Sequence, residues 1–198
     1  MNTEEVLQII QGNGGQIRMS DALVAGISRC KFYAMRDQGI LTEIARGVYR
    51  ISDLAPVSEP DLLPIALRVP HAVICLISAL SFHDITTQIP HNVDIAIEVG
   101  SRPPKIDYPP VSIHKFSKQS YRSGIEEHLI DGAQVKIYSP EKTLADCFKF
   151  RNKIGVNVAI EALKFYRERK KLNVNELIKQ SRICRVEKVM RPYLEIVV

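Results

Sequence analysis

The sequence predicts an α+β fold: a small helical N-terminal unit closed by a hairpin, then a larger C-terminal mixed domain, a small sheet followed by helices. Three observations predict it. Residues 3–39 carry three short helical patterns punctuated by glycines. Pro56, Pro60, Pro64 and Pro70 crowd the stretch from Ser52 to Pro70, and such a cluster disfavours continuous helix. Beyond it, alternating strand patterns between Val93 and Tyr138 give way to helical stripes after Ser139.

The N-terminal elements follow in order. Val6, Leu7, Ile9 and Ile10 recur at helical spacing and predict a first helix near 3–12, ended by Gly12-Asn13-Gly14-Gly15. Ser20-Asp21 supply a cap and a first-turn carboxylate for a second helix, with Ala22 and Leu23 facing the core. Gly26 makes the turn, and Ser28 caps a third helix running to about Gln38, with Gly39 past its end. At 100° per residue Phe32 and Met35 share one face of that helix. Arg29, Tyr33 and Arg36 share another, and Lys31 flanks the apolar stripe. Ile40-Leu41 and Val48-Tyr49 suit short strands around a tip at residues 42–47, with Arg46 and Arg50 flanking Gly47-Val48-Tyr49.

That order is the order of a winged helix-turn-helix. One stripe of the third helix anchors it, and a different one is free to enter a major groove. Arginine and lysine there can donate to guanine O6 and N7 or to phosphates, and a basic wing can lie on the backbone or reach the minor groove. Each feature alone has a plainer reading as a solvated face; the order and spacing carry the expectation of duplex-DNA binding.

The remaining elements divide at a boundary near 52–62: residues 1–52 the winged unit, 53–70 a Pro-rich linker, 71–198 the C-terminal domain. Ala72 to Phe82 reads as one apolar helix. Val93 to Val99 alternates and predicts a half-buried strand with Asp94 and Glu98 on its polar side; Val111 to Phe116 alternates more weakly. Ile125–Ile130 and Ala133–Tyr138 form a hairpin around Asp131-Gly132. Ser139 caps a helix with Pro140 at its first position, and Leu144, Phe148, Ala159, Leu163 and Tyr166 mark helical stripes. Helices near 173–181 and 183–191 follow, the second closed by Pro192.

Composition narrows the classes. Hydrophobic content of 45% and charged content of 25% are ordinary for a globular chain. No apolar run approaches the roughly 20 residues of a membrane span. The start, MNTEEVLQII, lacks the basic region and cleavage site of a signal peptide. Cys30, Cys75, Cys147 and Cys184 are scattered, which predicts neither a disulfide framework nor a zinc knuckle and suits the cytoplasm. The five histidines form no close helical pair of metal-ligand type, and Lys142-Thr143 lacks the glycines of a phosphate loop. Asp94 with Glu98 could be read as nuclease metal ligands, but no lysine lies nearby to assist; Glu168-Arg169-Lys170 has acid-x-lysine spacing at a charged helix end. The expectation is no enzyme, no cofactor and no metal.

Net charge is +5 and unevenly spread. Residues 1–50 carry six Lys/Arg against five Asp/Glu, residues 51–140 seven against ten, and residues 141–198 fourteen against seven. The winged unit would therefore act by placing a few cations. Arg182, Arg185, Lys188 and Arg191 recur every three residues and read as a drifting stripe on the last helix. Arg167, Arg169, Lys170 and Lys171 cluster where a helix C-terminus favours cations. The stripe admits three readings: a second phosphate-contacting surface, a site for an acidic or RNA partner, or a soluble face.

The sequence also resembles a known family. The resemblance lies in Gly14-Gly15, Arg18, Gly26-Ile27-Ser28-Arg29, Tyr33, Arg36-Asp37, Gly39, Leu41 and Arg46-Gly47-Val48-Tyr49-Arg50. It continues in Ser78-Ala79-Leu80-Ser81-Phe82-His83, Thr86-Thr87-Gln88-Ile89-Pro90-His91, Ser139-Pro140-Glu141-Lys142-Thr143 and residues 146–153, and ends in Arg182-Ile183-Cys184-Arg185 and Met190-Arg191-Pro192-Tyr193. Together these resemble the AbiEi antitoxins of type IV toxin–antitoxin systems, regulators of viral defence. The resemblance implies a repressor that binds its own operator, and a functional counterpart that is a nucleotidyltransferase-like toxin, whether or not the two touch. The expected DNA-binding set is Arg18, Ser28, Arg29, Lys31, Tyr33, Arg36, Arg46 and Arg50. A protein-interaction module, with basic C-terminal helices binding an acidic or RNA partner, is the alternative.

Overall fold

The structure, a computed structural model, describes residues 1–169 and 172–197. The chain divides into two compact units. The first takes residues 1–71 with 106–109 and 127–135; the second takes 72–105, 110–126 and 136 onward.

The first unit begins with α1 (Thr3–Gly12), β1 (Gln16–Arg18), α2 (Met19–Val24), α3 (Arg29–Asp37), β2 (Leu41–Ala45) and β3 (Val48–Ile51). Asn2 and Glu5 form a reciprocal capping box at the start of α1, which satisfies two otherwise unpaired amides. β1, β3 and β2 form an antiparallel sheet in that order. Val6, Ile10, Ile17, Ala22, Ile27, Phe32, Met35, Leu41, Tyr49 and Ile51 make one core. Phe32 is fully buried and meets Tyr49 edge-on at 4.9 Å between ring centres. Its burial contributes roughly 1.5–3 kcal/mol.

Four expectations change in this unit. The strand β1 is absent from the sequence reading, and α2 starts at Met19 behind Arg18, with no side-chain cap from Ser20. Leu23 is exposed, not core-facing. The Pro-rich stretch contains a helix, α4 (Leu62–Arg68), with Leu62, Leu63, Pro64 and Ile65 buried. Pro64 fits because it lies in the first helical turn, where the missing amide has no intrahelical partner to lose.

The second unit contains β4 (Val73–Ile74), α5 (Leu76–Phe82), β5 (Val93–Glu98), β6 (Val111–Phe116), α6 (Lys118–Arg122), β7 (Ile125–Ile130), β8 (Ala133–Tyr138), α7 (Pro140–Lys149), α8 (Arg151–Ile154), α9 (Val156–Arg167), α10 (Val174–Ile183) and α11 (Glu187–Val197), apart from the β7–β8 residues assigned above. The sheet order is β6-β5-β4-β8-β7. β5 pairs parallel with β6 and antiparallel with β4, and β4 pairs parallel with β8. Asp131 and Gly132, with φ of 46° and 79°, turn β7 into β8. Ser139 accepts from the Lys142 amide and Pro140 opens α7, as expected. The core gathers Val73, Ala96, Phe116 and Tyr138 from the sheet with Leu144, Phe148, Leu163, Tyr166 and Met190 from the helices.

Here too the structure corrects particular readings. The run from Ala72 to Phe82 is a two-residue strand followed by a helix. β5 is buried on both faces from Val93 to Ile97, so Asp94 is 8% exposed and forms no open polar face. Pro192 lies inside α11 and does not end it. Arg182 belongs to α10 and Arg185 to the turn after it, with φ of 60°; only Lys188 and Arg191 lie on α11. The four cations therefore do not form one stripe on one helix. Lys170 and Lys171 lie outside the described residues.

Candidate nucleic-acid interface

The third helix is held at its start and from beneath. The Ser28 hydroxyl accepts from the Lys31 amide at 3.3 Å and fixes its start. Gly26, at φ of 84°, makes the turn before it, a conformation costly for a side chain with a Cβ. Phe32 and Met35, both fully buried, anchor its inner stripe. Arg29, Tyr33 and Arg36 then share the outer stripe by spacing. Arg29 is exposed, and no side-chain partner for it occurs among the described residues. The Arg36 guanidinium lies 4.9 Å from the Tyr33 ring centre. It donates from Nη2 and Nε to the Asp37 carboxylate at 2.8 and 3.0 Å, a contact that raises its basicity further. Stacking and pairing both restrict this side chain before any partner arrives.

The other expected residues separate. Arg46 stands in the β2–β3 turn with its side chain 80% exposed, 3.5 Å from Asp107. Arg18 forms a two-pronged pair with Asp21, at 2.6 and 3.0 Å. Lys31 turns toward α1 and donates to the Thr3 hydroxyl at 2.6 Å. Arg50 is only 9% exposed and donates to the Ala55 carbonyl at 2.7 Å. Strand alternation explains this. Arg50 faces opposite to the core residue Tyr49, beside its cross-strand neighbours Gln16 and Thr42, and the segment after β3 covers it. It is no part of an exposed wing.

Sequence reasoning passed over the acidic partners that set these cations: Asp21, Asp37 and Asp107. The first two carried a local signal, three residues and one residue from their arginines respectively; Asp107, distant in sequence, carried none. It also passed over Val24, 90% exposed before the turn. The four cations expected to form the C-terminal stripe divide. Arg182 pairs with Glu187 at 3.1 Å and Arg191 with Glu195 at 3.2 Å; Arg185 and Lys188 are exposed. Asp94 and Glu98 do not converge on a metal position. The His114 Nε2 donates to Asp94 at 2.8 Å, and Arg122 lies 3.8 Å from Glu98.

A helix–strand–helix–turn–helix order, closed by a two-stranded wing and an outward cationic helix face, defines the first unit as a winged helix-turn-helix, and the whole chain as α+β. Residues 4–52, about a quarter of the chain, match the family described as "Transcriptional regulator, AbiEi antitoxin". That description is of a regulator. Among solved structures the chain is similar to the RV2827C protein from Mycobacterium tuberculosis, at 14% identity and a TM-score of 0.57. That likeness covers 87% of this chain and 69% of the other, and it is a likeness of fold. No curated protein matches. No helix among the described residues is long and apolar enough to cross a membrane.

Proposed function

We propose that the protein is a cytoplasmic, sequence-specific transcriptional repressor that binds duplex DNA at its own operator. In this reading it is the antitoxin of a type IV toxin–antitoxin system whose toxin is a nucleotidyltransferase-like protein. The observation that carries the reading is the outer face of α3. Arg29, Tyr33 and Arg36 project from a helix capped by Ser28 and anchored by Phe32 and Met35. Arg29 and Arg36 contact bases or phosphates, Ser28 and Tyr33 bond phosphates, and Arg46 sets the wing on the backbone. Arg18 and Lys31 border the surface, each already holding a partner within the unit. Arg50 is left out because it is buried. Residues 1–52 thus carry DNA contact, and residues 71–198 the action against the toxin.

Fluorescence anisotropy of the full-length protein with its own upstream DNA tests this. Binding is expected to weaken steeply with salt and to fall by roughly a hundredfold in the double variant Arg29→Ala, Arg36→Ala. Absence of binding to that DNA at low salt sinks the repressor reading. Co-expression with the toxin, with growth as the readout, tests the antitoxin role separately.

A further inference from the structure

The second unit holds a groove of about 240 Å³, lined by none of the residues proposed above to contact DNA. Its lining comes from α5 (Ile77), the loop 88–92, β5 (Asp94) and β6 (Ser112). The loop is pinned from behind. Glu161 accepts from the Thr87 amide at 2.9 Å and from the Thr86 and Thr87 hydroxyls at 3.2 and 3.0 Å. Ile89 projects at the groove with 82% exposure, and Pro90 adds a second apolar wall.

The polar side of the groove has a definite chemistry. Asp94 is a carboxylate at 8% exposure. One of its oxygens, Oδ1, receives the His114 Nε2 at 2.8 Å, which orients the group, and Oδ2 holds no partner among the described residues. The Asn92 amide donates to the Ser112 hydroxyl at 3.2 Å, which leaves the Asn92 oxygen and the Ser112 proton for other work. Gln88 supplies a further amide. No lysine or arginine lines the groove. An anionic ligand would meet the Asp94 charge with only the imidazoles of His91, in the lining, and His114, on Oδ1, to set against it, whereas a group rich in N–H donors would meet acceptors on one side and apolar walls on the other.

We propose that this groove binds a guanidinium or ammonium group, with Asp94 as its counter-ion. A guanidinium fits best: its plane lies against Ile77, Ile89 and Pro90 while its edge donates to Asp94. The group comes either from a free cationic metabolite or from an arginine presented by a partner protein.

The test is calorimetric titration of the full-length protein with agmatine, with arginine, with an arginine-containing tripeptide blocked at both ends, and with the same tripeptide carrying citrulline. Citrulline keeps the shape and removes the charge. Binding of agmatine or free arginine assigns a metabolite; binding of the tripeptide alone assigns a protein partner. In either case citrulline binds at least about tenfold more weakly, and Asp94→Asn reduces affinity by at least about tenfold. Ile89→Lys, at a position exposed enough to leave folding intact, also weakens binding by placing a cation at the groove. Equal binding of citrulline, indifference to Ile89→Lys, or no binding of any of these compounds at 10 mM, roughly the weakest affinity useful for recognition, overturns the proposal. The loss of DNA binding in the Arg29, Arg36 variant is independent of all these outcomes.

Discussion

The winged unit and the C-terminal helices handle positive charge in opposite ways. Residues 1–50 carry a single net positive charge, yet they place Arg29, Arg36 and Arg46 at the surface of one helix and one turn. Residues 141–198 carry seven net positive charges, and several of their cations are buried, bonded to carbonyls or held in surface ion pairs. Lys142 is fully buried against Asp146 and lies between the rings of Tyr138 and Phe116, at 4.2 and 4.8 Å. Arg151 donates to the Phe148 carbonyl and Arg169 to the His83 carbonyl. Arg182, Arg191 and Lys179 pair with glutamates. Net charge therefore does not by itself locate the exposed cations; the burial and pairing of each one do.

The contrast can be broken most forcefully at Lys142. Lys142→Ala leaves Asp146 buried and unpaired, a carboxyl that burial already pushes upward. The expected cost is about 3–5 kcal/mol in denaturant unfolding, with specific DNA affinity unchanged wherever the protein remains folded. A loss below 1 kcal/mol, within the range of roughly 0–1 typical of a surface pair, would show that this cation is not structural. Arg50 offers the next test. Arg50→Ala removes a buried charged donor and is expected to cost about 1.5–3 kcal/mol of stability without altering the salt dependence of DNA binding. Arg46→Ala should do the reverse: stability held, and the slope of log affinity against log salt reduced by about one. Ser28→Ala removes the α3 cap, for about 1 kcal/mol, and a weaker DNA complex should accompany it.

The smallest effect concerns acid. Glu161 is held below its usual value near 4.5, first by the Thr87 amide and then by the threonine hydroxyls. A carboxyl lowered in the folded state contributes stability that is present above its unfolded value and lost as pH falls through the lowered one. The protection factor of the Thr87 amide, taken against its intrinsic exchange rate at each pH, should therefore fall below about pH 4.5, and Glu161→Gln should abolish that pH dependence. A Thr87 amide equally protected at pH 3 and pH 6 would contradict it.

What was legible in the sequence had a local physical cause. Ser28, the Phe32 and Met35 spacing and Gly39 locate α3 to within a residue. Asp131-Gly132 and Ser139-Pro140 place the β7–β8 hairpin and the start of α7 just as well. Elements too short for a period escaped: β1 has three residues and β4 two, the latter hidden inside an apolar run. Proline was overread twice. Pro64 sits where a helix tolerates it, and Pro192 is accommodated within α11. The site divided along the same line. Which α3 residues face outward follows from angle alone, whereas the burial of Arg50 depends on a later segment folding back over β3. The groove around Asp94 draws on α5, a loop and two strands, and no single stretch announces it.

The most direct measurement is the affinity of three full-length proteins for the upstream operator across a salt series: the parent, the Arg29→Ala, Arg36→Ala double variant, and an Arg182→Ala, Arg191→Ala double variant. If placement of cations governs, the first double variant loses roughly a hundredfold in affinity and about two from the salt slope, and the second stays within about threefold of the parent. The opposite ranking, with the C-terminal variant losing binding and the α3 variant retaining it, would contradict the account.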